Sequence, residues 1–136
     1  MTFIIVGAGR VGLRTARILE EQGYGVVLVE LDEEKVRRAR DEGFRVIEGD
    51  GADSEILEEA GLEDAEAIAG LTGDLNTNFA ACMLGAEFGC RTVLRIDEDY
   101  RESIYEKYAD EVDEIIYPEQ LGGAGAKTAL LGGNFN

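Results

Sequence analysis

The sequence predicts an α/β fold of three layers, a six-stranded parallel sheet in the order 3-2-1-4-5-6 with helices on both faces. Three observations lead there. Short apolar runs of strand character alternate with stretches of helical period along the chain. The first run, Phe3-Ile4-Ile5-Val6, leads directly into Gly7-Ala8-Gly9-Arg10-Val11-Gly12. An acid, Glu30, closes the next apolar run, roughly 20 residues past the glycines.

Phe3–Val6 is continuous and rich in β-branched residues, as a strand buried on both faces should be. From Arg10 to Gln22 the apolar residues Val11 and Ile18, with Gly12, Ala16 and Leu19, fall on one helical face, and Gly23 stops the helix. Val26–Val29 is the second strand. Glu33 to Glu42 reads as a charged surface helix ended by Gly43, and Phe44–Ile47 as the third strand. Gly49-Asp50-Gly51 makes a turn before a short helix at 54–60, capped by Asp53 or Ser54. Ala65–Leu71 is the fourth strand. Leu75 to Phe88 is the most hydrophobic helix: Leu75, Phe79, Cys82, Met83 and Ala86 share a face, while Ala80, Ala81, Leu84 and Phe88 cover others. Such a helix is expected to be covered on two sides, by the sheet and by a second subunit. Thr92–Ile96 forms the fifth strand, Tyr100–Tyr108 a short helix, and Val112–Ile116 the sixth strand. Pro118 opens a last helix weakened by Gly122, Gly123, Gly125, Gly132 and Gly133. Six strands so arranged match the two halves of a Rossmann-type dinucleotide-binding fold.

Each glycine of the loop has a task in that fold. Gly7 permits a tight turn, Gly9 lets a pyrophosphate approach the backbone, and Gly12 lets the helix pack closely on the strand. Free N–H groups and the positive end of the helix dipole attract the diphosphate. Glu30 can accept hydrogen bonds from the ribose hydroxyls and would repel a 2′-phosphate, and Leu31 brings no positive charge to reverse that. NAD(H) or another plain adenosine nucleotide (ATP, ADP or AMP) is therefore expected ahead of NADP(H). Asp32 is a second acidic candidate, with the cap of the following helix as its structural use. Ligands of this fold lie beyond the carboxyl ends of the strands, where Asp50, Gly51, Ala52, Leu71, Thr72 and Arg95 fall. Thr72 and Asn76 or Asn78 can donate to phosphate or ribose. Arg95 can serve a phosphate with its planar fork, or a salt bridge to Asp97 or another acid.

These residues resemble a known family, the N-terminal nucleotide-binding domains (RCK or KTN domains) of the TrkA-type potassium uptake regulators. The resemblance runs the length of the chain. It rests on Ile4 to Gly12, Val29-Glu30-Leu31-Asp32, Val46 to Asp53, Leu71-Thr72-Gly73-Asp74 with Asn78, Leu94-Arg95-Ile96 and Ile116-Tyr117-Pro118-Glu119. It implies a cytoplasmic subunit, peripheral to the inner face of the cell membrane, that binds NAD(H), ATP or ADP. It further implies a homodimer or larger ring whose nucleotide-dependent arrangement gates a membrane potassium transporter or channel subunit. By the same resemblance Gly7 to Val11 would hold phosphates and Glu30 the ribose. Asp50, Gly51 and Ala52 would lie near the adenine, and Thr72 and Arg95 near the ribose and phosphates. Glu119 would begin a crossover helix facing the pocket or a neighbour. The expected organisation is a nucleotide-binding domain at 1–117 and a crossover helix or tail at 118–136, with the family's second domain absent.

The competing functional class is a small NAD-dependent oxidoreductase, and a third is a stand-alone nucleotide-binding module. Hydride transfer calls for an acid or base beside the nicotinamide and a wall for substrate. Histidine is absent, no Tyr-x-x-x-Lys occurs (Ile104 follows Tyr100 and Ala109 follows Tyr105 at that spacing), and the cofactor fold uses the chain. A regulatory sensor rather than an enzyme is the expectation. Its coupling elements would be the Leu75–Phe88 helix and the segment after Pro118.

Composition narrows the partners. Hydrophobic residues make up 45% of the chain, and no apolar run approaches the roughly 20 residues of a membrane span. The first strand signal begins at once, leaving no place for a signal peptide, so the expected location is cytoplasmic. Cys82 and Cys90 without histidine offer no zinc site, and read as small buried residues. The 29 acids against 13 bases give a net charge of −16, which disfavours nucleic acid and anionic lipid alike. Lysine occurs only at 35, 107 and 127. So acidic and lysine-poor a folded chain predicts an owner living in high salt, where screening relieves self-repulsion. Thermal unfolding should accordingly rise in temperature as KCl is raised from about 0.1 M to above 1 M, where the Debye length shrinks from about 10 to about 3 Å. Equal stability and refolding at both ends of that series contradicts it.

Overall fold

A computed structural model describes residues 1–97, 107–118 and 130–132 of the chain. The six strands are β1 (Thr2–Val6), β2 (Gly25–Glu30), β3 (Arg45–Glu48), β4 (Ala67–Gly70), β5 (Arg91–Arg95) and β6 (Glu114–Ile116). All pair in parallel, in the order β3-β2-β1-β4-β5-β6. The helices are α1 (Arg10–Glu21), α2 (Glu33–Asp41), α3 (Ser54–Glu59) and α4 (Leu75–Glu87), and a 3₁₀ turn at Leu62–Asp64 follows α3.

Alternation along the strands divides the core in two. In β1, Phe3 and Ile5 meet Leu13, Ala16 and Leu19 of α1 and the Val36–Ala39 side of α2. Ile4 and Val6 face the other way, with Leu57 of α3 and Ala81 of α4. Both sets are buried, which is why the strand reads as an unbroken apolar run rather than an alternating one. Helices thus cover both faces.

The register puts Val6 beside Val29 on one side and Gly70 on the other, so the chain leaves β1, β2 and β4 at one level. Between β2 and β4 the order of strands reverses. Loops there diverge to opposite faces and leave a crevice over β1, the place where open parallel sheets keep their ligands.

Strand β4 is shorter at both ends than the predicted Ala65–Leu71, because Ala65 ends the 3₁₀ turn. Strand β6 begins at Glu114, later than the predicted Val112. Asp113, just before it, accepts hydrogen bonds through Oδ2 from the backbone N–H of Thr92 (2.8 Å) and from its hydroxyl (3.1 Å), and so ties the entry of β6 to β5. The buried face of α4 is also different from the one expected. Asn78, Ala81, Cys82 and Gly85 are buried, Phe79 and Met83 are half-buried, and Ala86 is exposed. The cause is packing distance: a Cβ on Gly85 would lie 2.4 Å from Ile68, and one on Gly70 would lie 2.6 Å from the Cα of Asn78. Small residues, not the large apolar ones, bring the helix onto β4. The larger side chains of α4 join a third cluster with Leu94, Ile96 and Tyr108, where the Phe79 ring packs tilted against that of Tyr108 at 4.3 Å between ring centroids. Part of the α4 surface expected to meet a second subunit is therefore covered by this same chain.

Both cysteines are buried and unbridged, as expected. Burial pushes the Cys82 thiol up to about 12 and raises that of Cys90. Among the described residues no helix is long and apolar enough to cross a membrane. The predicted 100–108 helix falls outside the described residues except for its last turn, and the helix after Pro118 does so for most of its length.

Candidate functional site

The crevice over β1 is bounded by the turn from β1 into α1. Gly7 adopts φ of +111°, and a Cβ there would stand 3.0 Å from the backbone of Leu71 and Thr72. A Cβ on Gly12 would lie 1.9 Å from the carbonyl oxygen of Gly7. Neither position admits a side chain. Gly9 differs: nothing stands within 4 Å of its would-be Cβ, and the residue lines the crevice. Its lack of a side chain relieves no crowding within the protein and instead leaves space open in front of the helix.

The helix starts set this loop apart. Asp32, Asp53 and Asp74 cap α2, α3 and α4, each accepting a backbone N–H through its carboxylate. Asp32 thereby takes the capping use foreseen for it. Helix α1 starts at Gly9 with no side-chain cap. The first-turn N–H groups of a helix need partners, and here they sit at the lip of the crevice with the positive end of the dipole.

Glu30 ends β2 and turns its carboxylate back toward the loop. Its Oε1 accepts from the backbone N–H of Ala8 at 2.7 Å and its Oε2 from that of Asp32 at 2.9 Å. One side chain thus joins the glycine loop to the start of α2. Each carboxylate oxygen has acceptor capacity to spare for a further donor.

Two clefts meet at Glu30 and Thr72. One, of about 170 Å³, is lined by Val6, Val29, Leu31, Gly49, Asp50 and Gly51, with Asp74 and Thr77 from the start of α4. The other, of about 340 Å³, is lined by Gly7, Gly9, Arg10 and Val11, and also by Lys35, Leu71, Gly73 and Arg95. The first is mostly apolar in its walls. The second carries three cations beside Glu30.

Asn78 fixes the far wall. It is buried, and its Oδ1 accepts from the Thr72 backbone N–H (2.9 Å) and hydroxyl (2.6 Å), while its Nδ2 donates to the Thr72 carbonyl (2.9 Å) and the Arg95 carbonyl (3.4 Å). The chain ends of β4 and β5 are thereby tied together. Of the two amides read as possible donors to a ligand, Asn76 or Asn78, the one on Asn78 donates to backbone carbonyls instead. Arg95 pairs with Asp97 (Nε to Oδ1, 2.8 Å) and donates from Nη1 to the Leu71 carbonyl at 3.0 Å, so its salt bridge is formed while it still borders the crevice.

Of the sequence-derived candidates, Gly7, Gly9, Arg10, Val11, Glu30, Leu31, Asp50, Gly51, Leu71, Thr72 and Arg95 come together around these two clefts. Ala8 and Gly12 lie behind the loop and are buried, serving its shape. The Ala52 N–H is bound to the Asp50 carboxylate at 2.9 Å, and Ala52 lines neither cleft. Glu119 lies outside the described residues. Sequence reasoning missed Lys35 and Thr77. Lys35 sits in the first turn of a helix that reads as a charged surface, and its position after the β2 acid was the signal available.

Comparison with known proteins places these features in a family. Residues 3–118 match the model of the TrkA-N domain. The Trk system potassium uptake protein TrkA homolog of Pyrococcus abyssi is 36% identical over 128 residues, spanning 89% of this chain and 56% of its own. Its counterpart in Pyrococcus horikoshii is 34% identical over 143 residues, spanning 100% of this chain and 62% of its own. This chain thus spans little more than half the length of these relatives. Among solved structures, the Shewanella denitrificans Kef C-terminal domain in its AMP-bound form superposes with a TM-score of 0.73 at 23% identity, over 98% of this chain and 83% of that one. The GsuK channel bound to NAD gives 0.69 at 18% identity, over 85% of this chain and 21% of that one. At these identities the likeness is one of fold.

Asn78→Ala should cost about 1–2 kcal/mol in urea unfolding, because a buried amide that bonds the half-buried Thr72 N–H and the Thr72 and Arg95 carbonyls is lost. A loss under about 0.5 kcal/mol would show that the amide does not hold the two strand ends.

Proposed function

The chain belongs to the TrkA-N domain family, and on that premise we propose that it binds an adenine nucleotide in the crevice over β1 and serves as a regulatory subunit of potassium uptake. The observation that carries the reading is the uncapped start of α1 behind Gly9, facing a cleft that Glu30 closes on its other side. The first-turn N–H groups receive a diphosphate, and Gly9 leaves room for it. Glu30 accepts the ribose hydroxyls, held in place by Ala8 and Asp32. The walls of the smaller cleft, Val6, Val29 and Leu31 with Gly49 to Gly51, suit an adenine ring. NAD(H) is the preferred guest, with ATP, ADP and AMP as alternatives. The NAD bound to the GsuK channel and the AMP bound to the Kef domain, on the same fold, support that choice.

The groups at hand support regulation rather than turnover. The cleft holds carboxylate, hydroxyl and cationic side chains arranged for binding, and the sequence has no histidine. A nucleotide acts on a partner only by binding one arrangement better than another, typically by 1–3 kcal/mol. In this reading the arrangement is that of a homodimer or larger ring set against a membrane potassium transporter or channel subunit, at the inner face of the membrane. The elements linking cleft to partner are α4, whose first turn carries Thr77 and Asn78, and the segment after Pro118.

Calorimetry with NAD, NADH, ATP, ADP and NADP in high salt tests the pocket. NAD should bind more tightly than NADP, and Glu30→Ala should weaken NAD by about tenfold, the worth of a hydrogen bond to a charged group. Unchanged NAD affinity in that variant sinks the assignment of Glu30.

A further inference from the structure

We propose that Lys35 is a phosphate-binding residue of this cleft and makes its affinity depend on the phosphate charge of the ligand. The inference rests on the nucleotide-pocket reading and adds to it a group from outside the glycine loop. Lys35 lines the larger cleft together with Arg10 and Arg95, and Glu30 is the acid in that lining. The side chain is exposed, and its helical neighbours leave the ammonium unclaimed. The positions three and four residues away are Leu31, Asp32, Arg38 and Ala39. The one acid among them, Asp32, spends its carboxylate on the backbone N–H of Lys35 at 3.0 Å, as the cap of α2. That bond fixes where the residue leaves the helix. Asp32 is in turn held by Glu30, so the stem of Lys35 is referenced to the same carboxylate that faces the ribose.

Charge context gives this weight. The chain has 29 acids to 13 bases, and three of its described arginines form ion pairs. Arg17 pairs with Glu42, Arg37 with Glu34 and Arg95 with Asp97. Lys35 and Arg10 border the cleft and pair with no carboxylate among the described residues. Arg10 from the first turn of α1 and Lys35 from that of α2 line one cleft with Arg95, so an anion in that cleft meets a cationic lining. A phosphate group takes a lysine as a point charge, and arginine can substitute for it there.

The test compares adenosine with ADP on the wild-type chain, Lys35→Gln and Lys35→Arg, by amide NMR shifts that read affinities into the millimolar range. Lys35→Gln should weaken ADP by about tenfold and adenosine by less than about twofold, and Lys35→Arg should restore ADP to within about threefold of wild type. An ADP affinity unchanged in Lys35→Gln, or equal losses for ADP and adenosine, overturns the assignment. Wild-type binding of neither ligand overturns the pocket reading itself, and is distinguished by needing no variant.

Discussion

The turn from β1 into α1 is built around two places where the backbone comes too close for any side chain. Gly12 lies against the Gly7 carbonyl, and Gly7, at positive φ, lies against Leu71 and Thr72. This contact fixes how near α1 starts to the end of the central strand, and hence that its first-turn N–H groups open onto the crevice. Everything around the crevice is set relative to that turn. Glu30 reaches across to Ala8, Asn78 holds Thr72 at the level where it meets Gly7, and Arg95 bonds the Leu71 carbonyl. A Cβ on either glycine would push α1 outward and separate these walls, so the geometry of the site and the packing of the fold are the same constraint.

Electrostatics adds a second level of organisation. Aspartates at the strand ends satisfy the starts of α2, α3 and α4. Three of the acids are thus used locally as caps, and among the described α-helix starts the one without such a cap, that of α1, borders the cleft. Glu30 lines both clefts, and both its oxygens are already bound to backbone N–H groups, which orient the carboxylate at the place where the two clefts meet. Around it stand Arg10, Lys35 and Arg95. In a chain of net charge −16 that local excess of cations supports the anion site proposed for this cleft.

Much of this was legible in the residues. The strand order followed from alternating elements, because parallel strands joined by helices have few ways to pack. The glycine loop and Glu30 were legible because each needs one residue type at one spacing. What escaped was decided by packing in three dimensions. Leu75, Phe79 and Met83 drew attention on α4 by size, yet Gly85 and Ala81 set which side meets the sheet, through contact with Ile68 and its neighbours. Asn78 looked like a ligand donor because an amide near a strand end usually has that option, and only its burial between two carbonyls shows otherwise. Lys35 was hidden in a helix of exposed charges, where the turn of the helix and not its composition brings one residue to the cleft. The Arg95–Asp97 pair was one of two readings left open, and distance decided it.

In the function proposed for this chain, the uncapped start of α1 receives a diphosphate. In a 14.8 kDa chain the amide signals of Gly9, Arg10, Val11 and Gly12 are individually accessible by ¹⁵N NMR. Titration with inorganic pyrophosphate, which offers the diphosphate without base or sugar, should move these four amides together and saturably, ahead of the Asp-capped first turns of α2, α3 and α4. Uniform small shifts spread over all four helix starts, or none at Gly9 to Gly12, would contradict the account.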